Sequence, residues 1–185
     1  VTTAAVVLAA GAGSRFHGDT HKLLTIVRGK RLLDWAIDNA LAAHLDDVLL
    51  VLPPGGPVAV MPSVTVVHNE RWQDGMASSL QCALRVAQAR GHDAVVVALG
   101  DQPGISPDAW RAVASAVDRP VAVAVYGGRR GHPVRLAASV WPLLPSTGEA
   151  GAGALMRERP ELVREVACEG DPADVDTVED LDRWS

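Results

Sequence analysis

Residues 8–24 join an apolar run to a glycine-rich loop carrying two cations: Leu8-Ala9-Ala10-Gly11-Ala12-Gly13-Ser14-Arg15-Phe16-His17-Gly18-Asp19-Thr20-His21-Lys22-Leu23-Leu24. A buried strand that delivers such a loop is how α/β proteins cradle phosphate. Gly11 and Gly13 let backbone N–H groups approach an anion closely. Arg15 offers a planar fork to phosphate oxygens and Lys22 a point charge. The chain has two lysines among 17 basic residues, and one of them stands in this loop. A Walker A motif needs Gly-Lys-Ser/Thr, but Gly18 is followed by Asp19. A dinucleotide fingerprint needs a third glycine where Phe16 stands, and an acidic residue where Val48–Leu52 runs into Pro53-Pro54-Gly55-Gly56. A plain strand-to-helix turn explains the glycines but not the two cations.

A second chemical group follows the most apolar run in the chain, Val95–Leu99. Asp101 sits in a Gly100-Asp101-Gln102-Pro103 turn, which in a parallel sheet puts its carboxylate at the C-terminal strand edge, where ligands bind. One or two carboxylates with substrate phosphates are the usual way to hold Mg²⁺. The plainer reading is a turn aspartate bonded to nearby N–H groups. The cationic loop favours the metal. Asp174 and Asp176 alternate onto one side if 173–176 is extended, whereas Thr177 and Asp180 resemble a helix capping box. Ser78-Ser79 lacks the Gly-x-Ser-x-Gly elbow of a hydrolase. His17 and His21 lack the intervening Glu of a zinc protease.

These groups need a scaffold, and the chain is patterned for one. Apolar runs at Ala4–Ala10, Val48–Leu52, Val64–Val67, Ala94–Leu99 and Val121–Val125 read as buried strands. Between them, Leu32, Leu33, Trp35, Ala36 and Ala40, and then Met76, Leu80, Leu84 and Ala87, fall at helical spacing. Alternating strands and helices predict an α/β fold with a mostly parallel central sheet. The stretch Tyr126–Leu136, with Gly127-Gly128 and Gly131, breaks the rhythm and predicts a hairpin or flap over the C-terminal edge. The 185 residues suit one domain, 1–185. A net charge of −5 argues against nucleic-acid or anionic-membrane partners. No run approaches the ~20 apolar residues of a membrane helix. The apolar start lacks the basic region of a signal peptide. Cys82 and Cys168 form no Cys-x-x-Cys, so reduced thiols in the cytoplasm are expected.

Five ordered motifs carry a resemblance. The loop above, Asn69-Glu70-Arg71-Trp72-Gln73-Asp74-Gly75-Met76-Ala77-Ser78-Ser79-Leu80, Gly100–Pro103, Gly131-His132-Pro133-Val134 and Asp174–Leu181 are similar to those of MobA-like nucleotidyltransferases. Leu-Ala-Ala-Gly resembles the molybdenum-cofactor cytidylyltransferase branch rather than the guanylyltransferase branch. The resemblance implies a Rossmann-like three-layer sandwich and a Mg²⁺-dependent transfer of CMP from CTP to a molybdopterin-type phosphorylated pterin. It also implies that the N-terminal part of the single domain 1–185 binds the nucleotide, that the region around 126–160 contributes to the acceptor site, and that Arg15, Lys22 and Asp101 are the catalytic residues. Residues Leu8, Ala9, Ala10, Gly11, Ala12, Gly13, Ser14, Arg15, Lys22, Ser79, Gly100 and Asp101 hold the nucleotide. Gln102, Pro103, Gly131, His132, Pro133 and Glu149 hold the acceptor, and Asp101 and Asp176 the metal. A molybdoenzyme receiving the product is the implied protein partner.

One departure stands out. Where relatives carry Gly-Asp-x-Gly-Ala-Arg, this chain has Gly148-Glu149-Ala150-Gly151-Ala152-Gly153, losing the arginine. Alternatives therefore stay open: guanylyl transfer or another phosphorylated acceptor, an NAD(P)H-dependent reductase of the same family, or an inactive nucleotide-binding module.

Overall fold

The computed structural model describes residues 1–11, 22–56, 62–175 and 180. Strand β1 (Thr3–Leu8) is buried along its whole length, as expected where helices cover both faces of a parallel sheet. Its pleat sends Ala4, Val6 and Leu8 to one core and Ala5 and Val7 to the other. Around it lie β4 (Asp47–Leu52), β5 (Thr65–His68) and β6 (Ala94–Leu99), all parallel. A two-residue hairpin, β2 (Ile26–Val27) with β3 (Lys30–Arg31), precedes helix α1 (Leu32–Ala42). Helix α2 (Met76–Ala89) packs Leu80, Ala83, Leu84 and Ala87 on one face of the sheet. On the other face, α1 and α3 (Pro107–Ser115) bury Leu33, Ile37, Trp110 and Val113. The result is three layers, with the two predicted helical patterns forming α1 and α2.

The remaining strands are β7 (Val121–Tyr126), β8 (Arg129–Ala137) and β9 (Val163–Ala167). The sheet order is β5-β4-β1-β6-β8-β7-β9, with β8 antiparallel to both its neighbours. This corrects the flap expected at Tyr126–Leu136. A hairpin does form, turning at Gly127 (φ 55°) and Gly128 (φ 84°), as a tight turn with two positive φ angles requires. Its return strand is not laid over the edge but driven between β6 and β7. Glycines and arginines at 127–131 hide the strand signal, while Val134 and Leu136 alternate into the core around buried Arg135. The β7–β8 register jumps from Val123↔Val134 to Ala124↔Gly131, so His132 and Pro133 stand out of the ladder. Proline has no N–H to give a ladder, and such irregularities re-aim side chains at sheet edges.

Helix α4 (Gly153–Glu158) follows the 148–152 turn. Beyond β9 the chain returns to the sheet's C-terminal edge. Val175 donates its N–H to the Asp101 carbonyl at 3.0 Å and is fully buried against Val27 and Leu32.

Candidate active site

Three parallel strands end together and set the site. At the end of β1, Ala9 N–H donates to the Val51 carbonyl at 2.9 Å, and Gly100 N–H donates to the Leu8 carbonyl at 2.9 Å. Gly100 is needed for closeness: a Cβ there would lie 3.0 Å from Leu33 Cδ1 and 3.1 Å from Ala9 Cβ. Asp101 is thereby fixed at the C-terminal edge of the sheet. Gly11 is exposed.

Lys22 opens a short 3₁₀ turn, Lys22–Leu24, anchored by buried Leu23. Its Nζ donates to Asp101 Oδ2 at 2.7 Å, with the lysine side chain 8% and the carboxylate 21% exposed. The other oxygen, Asp101 Oδ1, is buried and has no hydrogen-bond partner. A carboxylate oxygen in that state is free to take a cation. Among the described residues no group of three or more His, Cys, Asp or Glu forms a metal cage. Ala12, Gly13, Ser14, Arg15 and Asp176 lie outside the described residues.

The structure gives Gln102 a position within the protein's own network. Its Nε2 donates to the Pro172 carbonyl at 3.1 Å and to Asp174 Oδ1 at 2.6 Å, and its Oε1 accepts from Leu99 N–H at 3.3 Å. It ties the C-terminal segment to the Asp101 turn. Pro103 is likewise buried, its carbonyl accepting from Asn39 at 3.0 Å.

Three of the other residues expected to hold the acceptor converge. Gly131, His132 and Glu149 line a cavity of about 290 Å³ beside Leu8, Met76, Leu80, Val97 and Val123. Arg130, Val134, Leu136, Met156 and the turn 150–153 complete its wall, so Gly153, at the place of the missing arginine, borders the cavity. Pro133 is buried next to it but does not line it. Burial pushes the His132 imidazole down to about 4, against an opposing pull from the Asp101 charge. It is therefore a neutral ring at physiological pH. Tyr126 holds the bulge by donating its O–H to the His132 carbonyl at 2.9 Å. Burial and the neighbouring Cys168 raise that phenol, which keeps its proton.

Glu149 is placed by a junction that the sequence reading missed. Ala77 N–H donates to the Gly148 carbonyl at 2.9 Å and Gly148 N–H to the Asp74 carbonyl at 2.7 Å. The start of α2, which bears Ser79, is thus stitched to the 148 turn, with Gly75 at φ 94° between them. Asn69 was also missed as a site residue. It is 3% exposed and bonded to both Ser78 and Ser79. The available signal was an amide ahead of a paired serine at a helix start.

A family model for the MobA-like NTP transferase domain matches residues 5–164. The chain belongs to that family. This MobA-like chain is similar to nicotine blue oxidoreductase of Paenarthrobacter nicotinovorans, at 34% identity over 96% of this chain and 94% of that protein. It is also similar to the crystal structure of Rv0371c from Mycobacterium tuberculosis H37Rv, with 32% identity, TM-score 0.79 and coverage of 99% and 96% of the two chains. Rv0371c has also been solved in complex with manganese. A nucleotidyl transferase from Methanothermobacter thermautotroptrophicus aligns with TM-score 0.83 at 25% identity, covering 98% and 95%. The MobA-like fold and its relatives make this chain a nucleotidyltransferase. Among the described residues no helix is long and apolar enough to cross a membrane, and neither Cys82 nor Cys168 is in a disulfide.

Proposed function

We propose that the protein transfers CMP from CTP to a phosphorylated acceptor of the molybdopterin type, releasing pyrophosphate. The observation that carries the transferase reading is the Lys22–Asp101 pair at the strand ends, with Asp101 Oδ1 buried and unpartnered. An oxygen of the acceptor's phosphate forms the new bond to the α-phosphorus as the bond to pyrophosphate breaks. A phosphate monoester has a second pKa of about 6, so the attacking oxygen is already ionised and needs no general base. His132, held neutral, can orient the acceptor by hydrogen bonding without taking its proton.

The residues fit a divalent cation, with Asp101 Oδ1 as one ligand and Asp176 as the second that the family resemblance implies. Bound Mg²⁺ would neutralise charge on the phosphates. Lys22, buried at the strand edge, adds positive charge from the protein, and Arg15 adds a second cation by resemblance. The manganese complex of Rv0371c supports a divalent-metal site in a relative. Leu-Ala-Ala-Gly favours CTP over GTP, again by resemblance. A soluble cytoplasmic enzyme passing its product to a molybdoenzyme is the setting this reading implies.

A second reading has its own support. The oxidoreductase relative is 34% identical over nearly the full chain, and the cavity beside His132 is walled mainly by aliphatic and methionine side chains. Reduction by NAD(P)H makes no use of Asp101 Oδ1, which is why transfer ranks first. Calorimetric titration of CTP, GTP and NADPH with and without Mg²⁺, on wild type and Asp101→Asn, separates the two. Metal-dependent CTP binding lost in the variant supports cytidylyl transfer, and a preference for GTP moves the donor to guanylyl transfer. NADPH binding indifferent to metal and to Asp101 refutes transfer. CTP binding without pyrophosphate release, whatever phosphorylated pterin is supplied, points to an inactive binding module.

A further inference from the structure

We propose that Asn69 is a positioning residue that fixes the Ser79 hydroxyl as a hydrogen-bond donor to the nucleotide base. The proposal rests on the reading that Ser79 meets the base of a bound nucleoside triphosphate. The orientation of the Asn69 amide is set by the backbone. Arg71 N–H, which can only donate, reaches Asn69 Oδ1 at 3.0 Å. The amide nitrogen must then face the serines, and Nδ2 donates to Ser78 Oγ at 2.9 Å and Ser79 Oγ at 3.0 Å. Asn69 is itself held by its N–H bond to the Leu52 carbonyl at 2.9 Å, at the end of β4.

The two serines differ in what they do with their own protons. Ser78 Oγ has acceptors in the Arg71 and Gly75 carbonyls, both at 2.8 Å. Ser79 accepts from Asn69, and among the described residues its hydroxyl proton meets no acceptor. A helical serine usually turns its proton to the carbonyl four residues back. For Ser79 that is the Gly75 carbonyl, already taken by Ser78 Oγ and Ser78 N–H. Ser79 is 4% exposed, and a buried donor left unspent calls for a partner. A base edge that offers an acceptor, such as the O2 and N3 of cytosine, supplies one. Asn69 occupies one lone pair of Ser79, and of what remains the proton is what a base acceptor can take. The position fits, since Asn69 and the first turn of α2 stand at the C-terminal ends of β4 and β5, the ligand edge of a parallel sheet.

The test titrates CTP and inorganic triphosphate, each with Mg²⁺, into wild type, Ser79→Ala, Asn69→Asp, Asn69→Ala and the Ser79→Ala/Asn69→Asp double variant. Inorganic triphosphate has no base, so the ratio of CTP to triphosphate affinity isolates the base contact from any added charge or general loosening of α2. In Asn69→Asp the carboxylate can only accept. It keeps the Arg71 N–H and captures the Ser79 proton, leaving a lone pair facing the base. That ratio is expected to fall about tenfold in Ser79→Ala and in Asn69→Asp, the worth of one hydrogen bond. It should fall less in Asn69→Ala, where the hydroxyl merely rotates freely, and no further in the double variant than in Ser79→Ala. An unchanged ratio in both Asn69 variants, or additive losses in the double variant, would overturn the role of Asn69. So would CTP and triphosphate affinities falling in step. An unchanged ratio in Ser79→Ala removes the base contact and the inference with it. Failure of the nucleotide-binding reading on which this rests looks different, because wild type then binds no CTP at all.

Discussion

Replacing Gly75 by alanine tests whether helix α2 and the 148 turn are one rigid unit. Gly75 sits at φ 94°, ψ 178°, a region open essentially to glycine alone, and costing about 1–3 kcal/mol for other residues. A Cβ at this position would lie 2.6 Å from both the carbonyl carbon and oxygen of Gly148, which are backbone atoms with no rotamer to escape into. Relief requires moving the 148 turn away from α2, at the expense of the Ala77–Gly148 and Gly148–Asp74 hydrogen bonds. Those two bonds are worth about 1 kcal/mol each. The expected loss for Gly75→Ala is thus about 3–5 kcal/mol. Gly148→Ala is the built-in control. It too has a positive φ, 89°, but a Cβ there meets nothing within 4 Å, so only the conformational cost of about 1–2 kcal/mol applies. Urea unfolding of the two variants reads the difference, with Gly75→Ala less stable than Gly148→Ala by about 1–4 kcal/mol. Equal losses in both would refute the claim that contact with the 148 backbone, rather than backbone conformation, holds this junction.

Acid should destabilise the protein through His132. Its folded pKa of about 4 lies below the ordinary 6.5, so the unfolded chain binds more protons and stability falls as pH drops from 6.5 toward 4. The His132 share of the loss between pH 7 and 5 is about 2 kcal/mol, and His132→Asn should remove it from the pH dependence of the urea midpoint. A variant with the same acid sensitivity as wild type would show that the imidazole is solvated. Arg135 is 4% exposed, its Nε has no partner and burial lowers its pKa. Because a buried charge with little compensation contributes poorly, Arg135→Met should leave stability unchanged or raise it by about 1–2 kcal/mol in thermal or urea unfolding. A clear loss would mean that the guanidinium is better satisfied than its bonds indicate.

By itself the sequence determined the local pieces. Continuous apolar runs such as Ala4–Ala10 and Ala94–Leu99 could only be strands buried on both faces, and the spacing of Met76, Leu80, Leu84 and Ala87 could only cover a helix stripe. Asp101 stood out as a carboxylate in a turn directly beyond an apolar strand, and Lys22 as a cation at the far end of the glycine-rich loop. Tertiary structure decided which pieces meet. Strand periodicity states what is buried but not which strand lies alongside, so the insertion of β8 between β6 and β7 could not be read from Arg129–Ala137. Pairing across the sheet is set by the summed hydrogen bonding and burial of every strand at once. The same holds for Lys22 against Asp101, 79 residues apart, for the Gly148 carbonyl pressed against Gly75, and for the Asn69 amide turned by Arg71 toward Ser79. Each depends on where distant backbone comes to rest. A side chain's identity fixes the bonds it can make, and only the packed chain fixes which of them remain unspent.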